Sequence, residues 1–309
     1  MKAKVSIIGA GNVGATTAQL VLQSGLADVA LFDVAEGIPQ GKALDLTEAA
    51  SLWNVSTSCT GANDYAETAD SDVVVVTAGF PRKPGMSRDD LLQANAGVIK
   101  DVAAETARLS PRAVTIVVTN PMDVMTYIAW KVSGLNHRRV LGMGGVLDSS
   151  RFRTFVSLEL GVSPRDMEAI VLGGHGDLMV PLARLATVKG VPLESLVGKD
   201  RIAELVGRTR QGGAEIVSLL KTGSAYYAPA AAIFEMISAI LLDEKRILPC
   251  SAYLTGEYGI EDLFMGVPVM LGRKGAEKIL ELELTEDEKK EFNRSGAATR
   301  ELINKALAE

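Results

Sequence analysis

The stretch KVSIIGAGNVGATTAQL (residues 4–20) joins a β-branched apolar run to a glycine-rich turn and then to a helix-like segment. Its centre, GAGNVG, has the spacing G-x-G-x-x-G at the point where a strand would give way to a helix. Gly9 permits the tight bend, Gly11 lets a pyrophosphate approach the backbone, and Gly14 lets helix and strand pack closely. Gly9, Ala10, Gly11, Asn12, Val13 and Gly14 are thus the expected phosphate-binding set, with free N–H groups at the positive end of a helix dipole. Asp33 follows Gly14 by 19 residues and ends a second strand-like run, VALFD (29–33). A carboxylate there can accept hydrogen bonds from an adenosine ribose and would repel a 2′-phosphate, which favours NAD over NADP. The competing reading is a plain tight turn beside an acidic strand end, but the strand and helix around it are the context that dinucleotide binding requires.

Outward from this turn, the first half of the chain alternates short β-branched runs with longer helical patterns. Strands are expected at 4–9, 29–33, 73–79, 113–119 and 139–143, with a weaker one at VSTSC (55–59). Helical patterns cover NVGATTAQLVLQSG, DDLLQANAGVIKDVAAETARLS and PMDVMTYIAWKVSG. The last begins at Pro121 and closes on Gly134, the usual asymmetry of helix ends. The strands are continuously apolar instead of alternating, which suits a parallel sheet covered on both faces. An α/β, Rossmann-type doubly wound sheet is therefore expected over residues 1–143. Residues 144–309 change character and read as an α+β domain. Helices are expected near 147–161 and 200–222, and a buried one in YYAPAAAIFEMISAILL (226–242). MEAIVLGG, PLARLATVKGVPL, CSAYLTGEYG and VPVMLGRKGAEKILEL supply antiparallel strands, with Lys189-Gly190 as a hairpin turn. Thr285 and Glu288 have capping-box spacing before a C-terminal helix.

The chain has 309 residues, 32 basic against 38 acidic, and a formal charge of −6. That acidity, without a basic stripe, argues against nucleic acid as a partner. The two cysteines, Cys59 and Cys250, lie far apart with no Cys/His cluster. Neither a disulfide framework nor a metal site is expected, and both thiols read as buried and reduced. No signal segment or membrane span is apparent, so a cytoplasmic location is expected.

Against this acidic background, GFPRKPGMSR (79–88) gathers Arg82, Lys83 and Arg88 among prolines and glycines, as a loop for an anionic ligand would. Of the two histidines, His137 falls between a helix end and a strand and reads as a surface or helix-terminal residue. His175, in LGGHGDL, is surrounded by glycines that leave room for a ligand. It reads equally well as a turn residue. In GVLDSSRF (145–152), Asp148 and Arg151 are three apart and would share a helix face. Arg151 could fork onto a carboxylate, and Asp148 could hold an imidazole. The same pair could be a simple intrahelical ion pair.

GAGNVG, VTAGFPRKPGMSRDDLL, VVTNPMD, LDSSRFR and GGHGD occur in the order and spacing of the lactate/malate dehydrogenase family, which the chain resembles from residue 4 through at least the 230s. Within it, the chain is most similar to the branch of malate dehydrogenases that are themselves like lactate dehydrogenases. The resemblance implies NAD as cofactor, a small 2-oxo/2-hydroxy acid substrate, and a homodimer or homotetramer. It implies His175 as proton donor and acceptor, Asp148 as its orienting partner, and Arg151 as the grip on the carboxylate beside the reacting carbon. Arg88 would polarise the carbonyl, Asn120 would meet substrate and nicotinamide, and Asn95 would lie on the cofactor side.

Arg82 stands where lactate dehydrogenases similar to this chain usually carry glutamine. A guanidinium there can pair with the second carboxylate that oxaloacetate has and pyruvate lacks. Closing over pyruvate would bury it unpaired, at roughly 3–5 kcal/mol. Oxaloacetate/malate is therefore the expected pair, with Lys83 in solvent adding long-range attraction. Small Ala225 in GSAYYAP, where lactate enzymes often have threonine, agrees. The alternatives are a lactate or other 2-hydroxy acid dehydrogenase, or a non-catalytic NAD-sensing protein on the same fold.

Overall fold

Five of the six apolar runs of the first half become strands in place, and the sixth lies a few residues downstream of its expected position. They are β1 (Ala3–Ile8), β2 (Ala27–Phe32), β3 (Cys59–Ala62), β4 (Val73–Val76), β5 (Val114–Val117) and β6 (Val140–Gly142). These elements come from a computed structural model that describes residues 2–80 and 87–308. Arg82 and Lys83 lie outside the described residues, as does the side chain of Arg88.

The six strands pair in parallel in the order β3-β2-β1-β4-β5-β6. Helices α1 (Asn12–Ser24), α2 (Ile38–Leu52), α3 (Arg88–Leu109) and α4 (Met122–Ser133) connect them. Every residue of β4 and β5 is buried, which explains why VVVV and VTIV carry no charge and do not alternate. Chain order reverses between β1 and β4, and sheets of this type bind ligands at the carboxyl ends of the strands flanking that point. Gly9 and Ala78 meet there.

The second half begins with α5 (Gly145–Leu160). Five two-residue strands follow: β7 (Met167–Glu168), β8 (Val171–Leu172), β9 (Val180–Pro181), β10 (Thr187–Val188) and β11 (Val191–Pro192). Then come α6 (Lys199–Leu220), α7 (Tyr227–Leu241), β12 (Arg246–Thr255), β13 (Glu261–Gly272), β14 (Gly275–Ile279) and α8 (Glu286–Leu307). Lys189 and Gly190 both have positive φ, 49° and 84°, as a tight two-residue hairpin needs. The capping box of α8 forms: Thr285 Oγ1 accepts from the Glu288 amide, and the Glu288 carboxylate accepts from the Thr285 amide. α7 buries Ala230, Ile233, Met236 and Ile237, as its apolar sequence predicts.

Three features differ from the sequence reading. α2 is a helix its sequence does not advertise, because Pro39 and Gly41 stand at its start and only Pro39, Ala43 and Ala50 are buried. The weak strand expected at 55–59 instead runs Cys59–Ala62, so the β-branched residues before it form the approach to the strand. β12 pairs antiparallel with β6 at Ser251 and Gly142, and β13 and β14 continue outward from it. One nine-stranded sheet therefore spans both halves of the chain. Cys250 is buried, whereas Cys59 is only partly so; burial pushes both thiols up, Cys59 to about 12. No described helix is long and apolar enough to cross a membrane.

Candidate active site

The glycine turn has the geometry of a phosphate cradle. Gly9 has φ +112°, and a Cβ there would lie 2.7 Å from the Ala78 amide nitrogen. A Cβ on Gly14 would fall 1.9 Å from the Gly9 carbonyl oxygen, so only glycine lets α1 start this close to β1. Gly11, the N-cap of α1, has open space where its side chain would be and no side chain capping the helix. The first amides of α1 are thus left for an anion. Asp33 sits just past β2 with Oδ2 accepting from the Ala10 amide (2.7 Å) and Oδ1 from the Ala35 amide (3.0 Å). Lys42 on α2 closes the other side, its Nζ donating to the Ala10 carbonyl (2.6 Å). A pyrophosphate at the amides of residues 11–14 and a ribose at the Asp33 carboxylate fit this arrangement.

A second cluster brings together three of the residues singled out by sequence. Asp148 lies in the first turn of α5, and its Oδ2 is 2.8 Å from His175 Nδ1. Its other oxygen accepts from Arg151 Nη1 at 3.2 Å, the helical i, i+3 spacing made real. Arg151 is 12% exposed, packs its Cδ against Gly212 on α6, and leaves its buried Nε without a partner among the described residues. A buried N–H of this kind is costly unless a ligand accepts from it. His175 is 15% exposed. Burial disfavours its charged form, but the Asp148 carboxylate, by charge and hydrogen bond, and Asp123 outweigh burial. The imidazole therefore titrates above its ordinary value despite the opposing charge of Arg151.

The backbone that carries His175 is tied to three elements by three successive amides. Gly173 N donates to Gly266 O on β13 (2.9 Å), Gly174 N to Ser295 Oγ on α8 (2.8 Å), and His175 N to Asp123 Oδ2 on α4 (2.8 Å). Asp123 and Ser251, whose hydroxyl donates to Asp123 Oδ1 (2.6 Å), were not singled out by sequence. An aspartate in a helix's first turn reads as a partner for the helix dipole, and nothing local shows that it is buried. Burial pushes the Asp123 carboxyl up, against the hydrogen bonds from Ser251 and His175.

Asn120 is exposed at the carboxyl end of β5. Asn95 is 2% exposed and spends its carboxamide on backbone: Oδ1 accepts from Phe80 N (2.7 Å) and Nδ2 donates to Asn120 O (2.8 Å). It braces the segment leading to residue 80 against that carrying Asn120. Arg88 opens α3, whose capping box joins Ser87 and Asp90. Ala225 is partly buried just before α7. His137 stands apart from the cluster, its ring 5.2 Å from that of Tyr253.

A dinucleotide cradle at the sheet's crossover and an Asp–His–Arg cluster able to pass a proton and bind a carboxylate fit a nicotinamide-dependent oxidoreductase. Residues 3–142 match the lactate/malate dehydrogenase NAD binding domain, and residues 145–309 match the alpha/beta C-terminal domain of the same family. The chain belongs to the lactate/malate dehydrogenase family. The malate dehydrogenase of Desulforudis audaxviator is 59% identical over 300 residues, 97% of each chain. That of Thermomicrobium roseum is 56% identical over 98% of each. Among solved structures, a malate dehydrogenase from Cryptosporidium parvum superposes with a TM-score of 0.97 at 46% identity, covering 100% of both chains. A lactate dehydrogenase from the same organism, complexed with lactic acid and nicotinamide adenine dinucleotide, gives 0.95 at 45% identity over 98% of both chains. Backbone shape alone does not separate the two substrates.

Proposed function

We infer that this chain is an NAD-dependent malate dehydrogenase, interconverting (S)-malate and oxaloacetate. The observation that carries the chemistry is the His175–Asp148 contact at 2.8 Å beside Arg151, whose buried Nε has no partner among the described residues. With Nδ1 donating to Asp148, the imidazole keeps Nε2 for substrate. In the direction of reduction, NADH supplies the hydride that attacks the ketone carbon. His175 Nε2 gives its proton to the oxygen as the carbonyl bond breaks, and takes it back in malate oxidation. Asp148 holds the ring and stabilises its charged form. Arg151 binds the carboxylate next to the reacting carbon through its fork and Nε. Arg88 stabilises the developing negative charge on the carbonyl oxygen, and Asn120 contacts substrate. The amides of residues 11–14 hold the pyrophosphate across the Gly9–Ala10 bend, Asp33 holds the ribose, and Asn95 acts on the cofactor side by fixing the backbone at Asn120.

Choice of oxaloacetate over pyruvate is assigned to Arg82, which can pair with the second carboxylate. High identity to malate dehydrogenases along nearly the whole chain supports this reading. The test is NADH oxidation with equal concentrations of oxaloacetate, pyruvate and phenylpyruvate, repeated with NADPH. Oxaloacetate with NADH is expected to be fastest. Arg82→Gln should lower kcat/KM for oxaloacetate by roughly 10²-fold or more and raise it for pyruvate, which no longer leaves a buried cation unpaired. An equal fall for both would remove Arg82 from specificity. Residues 1–143 are proposed as the cofactor half and 144–309 as the acid–base half, in a cytoplasmic homo-oligomer. Exposed Leu44 and Leu52 on α2, and Val217 and Leu219 on α6, support assembly, which light scattering would read.

A further inference from the structure

Beneath His175 lies a second carboxylate that the roles above leave unused. Asp123 is 5% exposed and belongs to α4, on the other side of the proposed division from His175 and Asp148. Both its oxygens are engaged, Oδ2 by the His175 amide and Oδ1 by the Ser251 hydroxyl. Among the described residues, the charged groups facing the imidazole are Asp123 from α4 and Asp148 and Arg151 from α5. β12 and α8 present the neutral hydroxyls of Ser251, Ser295 and Thr299 to this cluster. With the imidazole protonated and both carboxylates ionised, two negative charges face one imidazolium and one guanidinium among the described residues, and these four groups together are neutral. Without Asp123 the same state would carry a net positive charge in a buried site, which low local polarity makes unfavourable.

We propose that Asp123 is a positioning residue for the acid–base step: it fixes the His175 backbone and supplies the second negative charge that balances the protonated imidazole. This rests on the role of His175 given above. It also gives a reason for the burial of Asp123. A carboxylate that only tied down an amide could be replaced by a neutral acceptor without effect on the ring. One that balances charge could not. Ser251 then matters because its hydroxyl favours the ionised form of Asp123.

The experiment uses the full chain with labelled histidine. The sequence has two histidines, so NMR titrates His175 and His137 separately, and His137, against Tyr253, serves as control. Asp123→Asn keeps shape and an acceptor for the His175 amide. It is expected to lower the His175 midpoint by about one pH unit, with His137 unmoved. Ser251→Ala should lower it in the same direction by less. The basic limb of kcat/KM for oxaloacetate should move with the NMR midpoint. An unchanged His175 midpoint in both variants, with or without loss of activity, would leave Asp123 as a structural tie and overturn the proposal. Should Asp123→Asn fail to fold, the Ser251→Ala titration decides by the same criterion. Because the titration needs no substrate, a wrong substrate assignment would show in the assay panel and not here.

Discussion

Burial alone would make His175 a weak base, and a weak base is a poor reservoir for the proton that oxaloacetate reduction consumes. The carboxylates beside it reverse that, holding its titration above the ordinary value of 6.5. The sign of the pH dependence follows. Reduction needs the protonated ring, so kcat/KM for oxaloacetate should stay level below the raised pKa and fall above it. Malate oxidation needs the neutral ring and should rise across the same interval. Parallel trends in the two directions would remove His175 from the proton path. Replacing it by asparagine should lower turnover by roughly 10²–10⁴-fold while NADH still binds, as a fluorescence titration would show. At this scale helical spacing puts Asp148 and Arg151 on one face, and glycines single out His175. The residues alone leave an ion pair and a turn histidine equally open, and only the family resemblance gives them roles. Asp123 is not legible, since its partners lie 52 and 128 residues away and meet it only through tertiary packing.

Elements carry the site by how closely their backbones approach. Gly266 of β13 faces Gly173, two residues before the histidine, and a Cβ there would lie 2.4 Å from the Gly173 carbonyl oxygen. The obstacle is backbone, so the loop bearing His175 must move. Gly266→Ala should cost about 1–3 kcal/mol of stability. It should also lower kcat by tenfold or more, because small misplacements of a catalytic group are expensive in rate. Gly97 on α3 has open space at its Cβ position, and there alanine should stabilise by about 0.5–1 kcal/mol. Melting midpoints of the two variants should move in opposite directions; a shared sign would discredit the packing argument. The same closeness explains which elements could be read in advance. The buried parallel strands declare themselves by clustered valine, isoleucine and leucine, most plainly in the VVVV of β4. α2 does not, because its few buried positions leave no apolar stripe, and β3 was misplaced because β-branched Val55 and Thr57 precede the paired residues.

For the molecule as a whole, the sequence indicates two halves of different character, and the structure joins them by a continuous sheet. β12 meets β6 at Ser251 and Gly142, a junction no periodicity could reveal because it depends on pairing between distant segments. The main core ignores the change of character, packing Val5, Val75 and Ile116 together with Ile237, Phe264 and Val267. A smaller cluster around Phe152, Val156, Leu193 and Leu205 lies under α5 and α6. If the shared sheet governs cooperativity, the chain should melt in a single calorimetric transition at fixed protein concentration. NADH bound by the first half should then stabilise the second. At free NADH about 100-fold above Kd the gain is about 2.7 kcal/mol, and the whole transition should shift upward together. Two transitions, of which NADH moved one, would mean that the smaller cluster melts by itself. Arg151, next to Phe152 of that cluster, would then lose its place beside Asp148, and catalysis would be lost on heating before the cofactor half had melted.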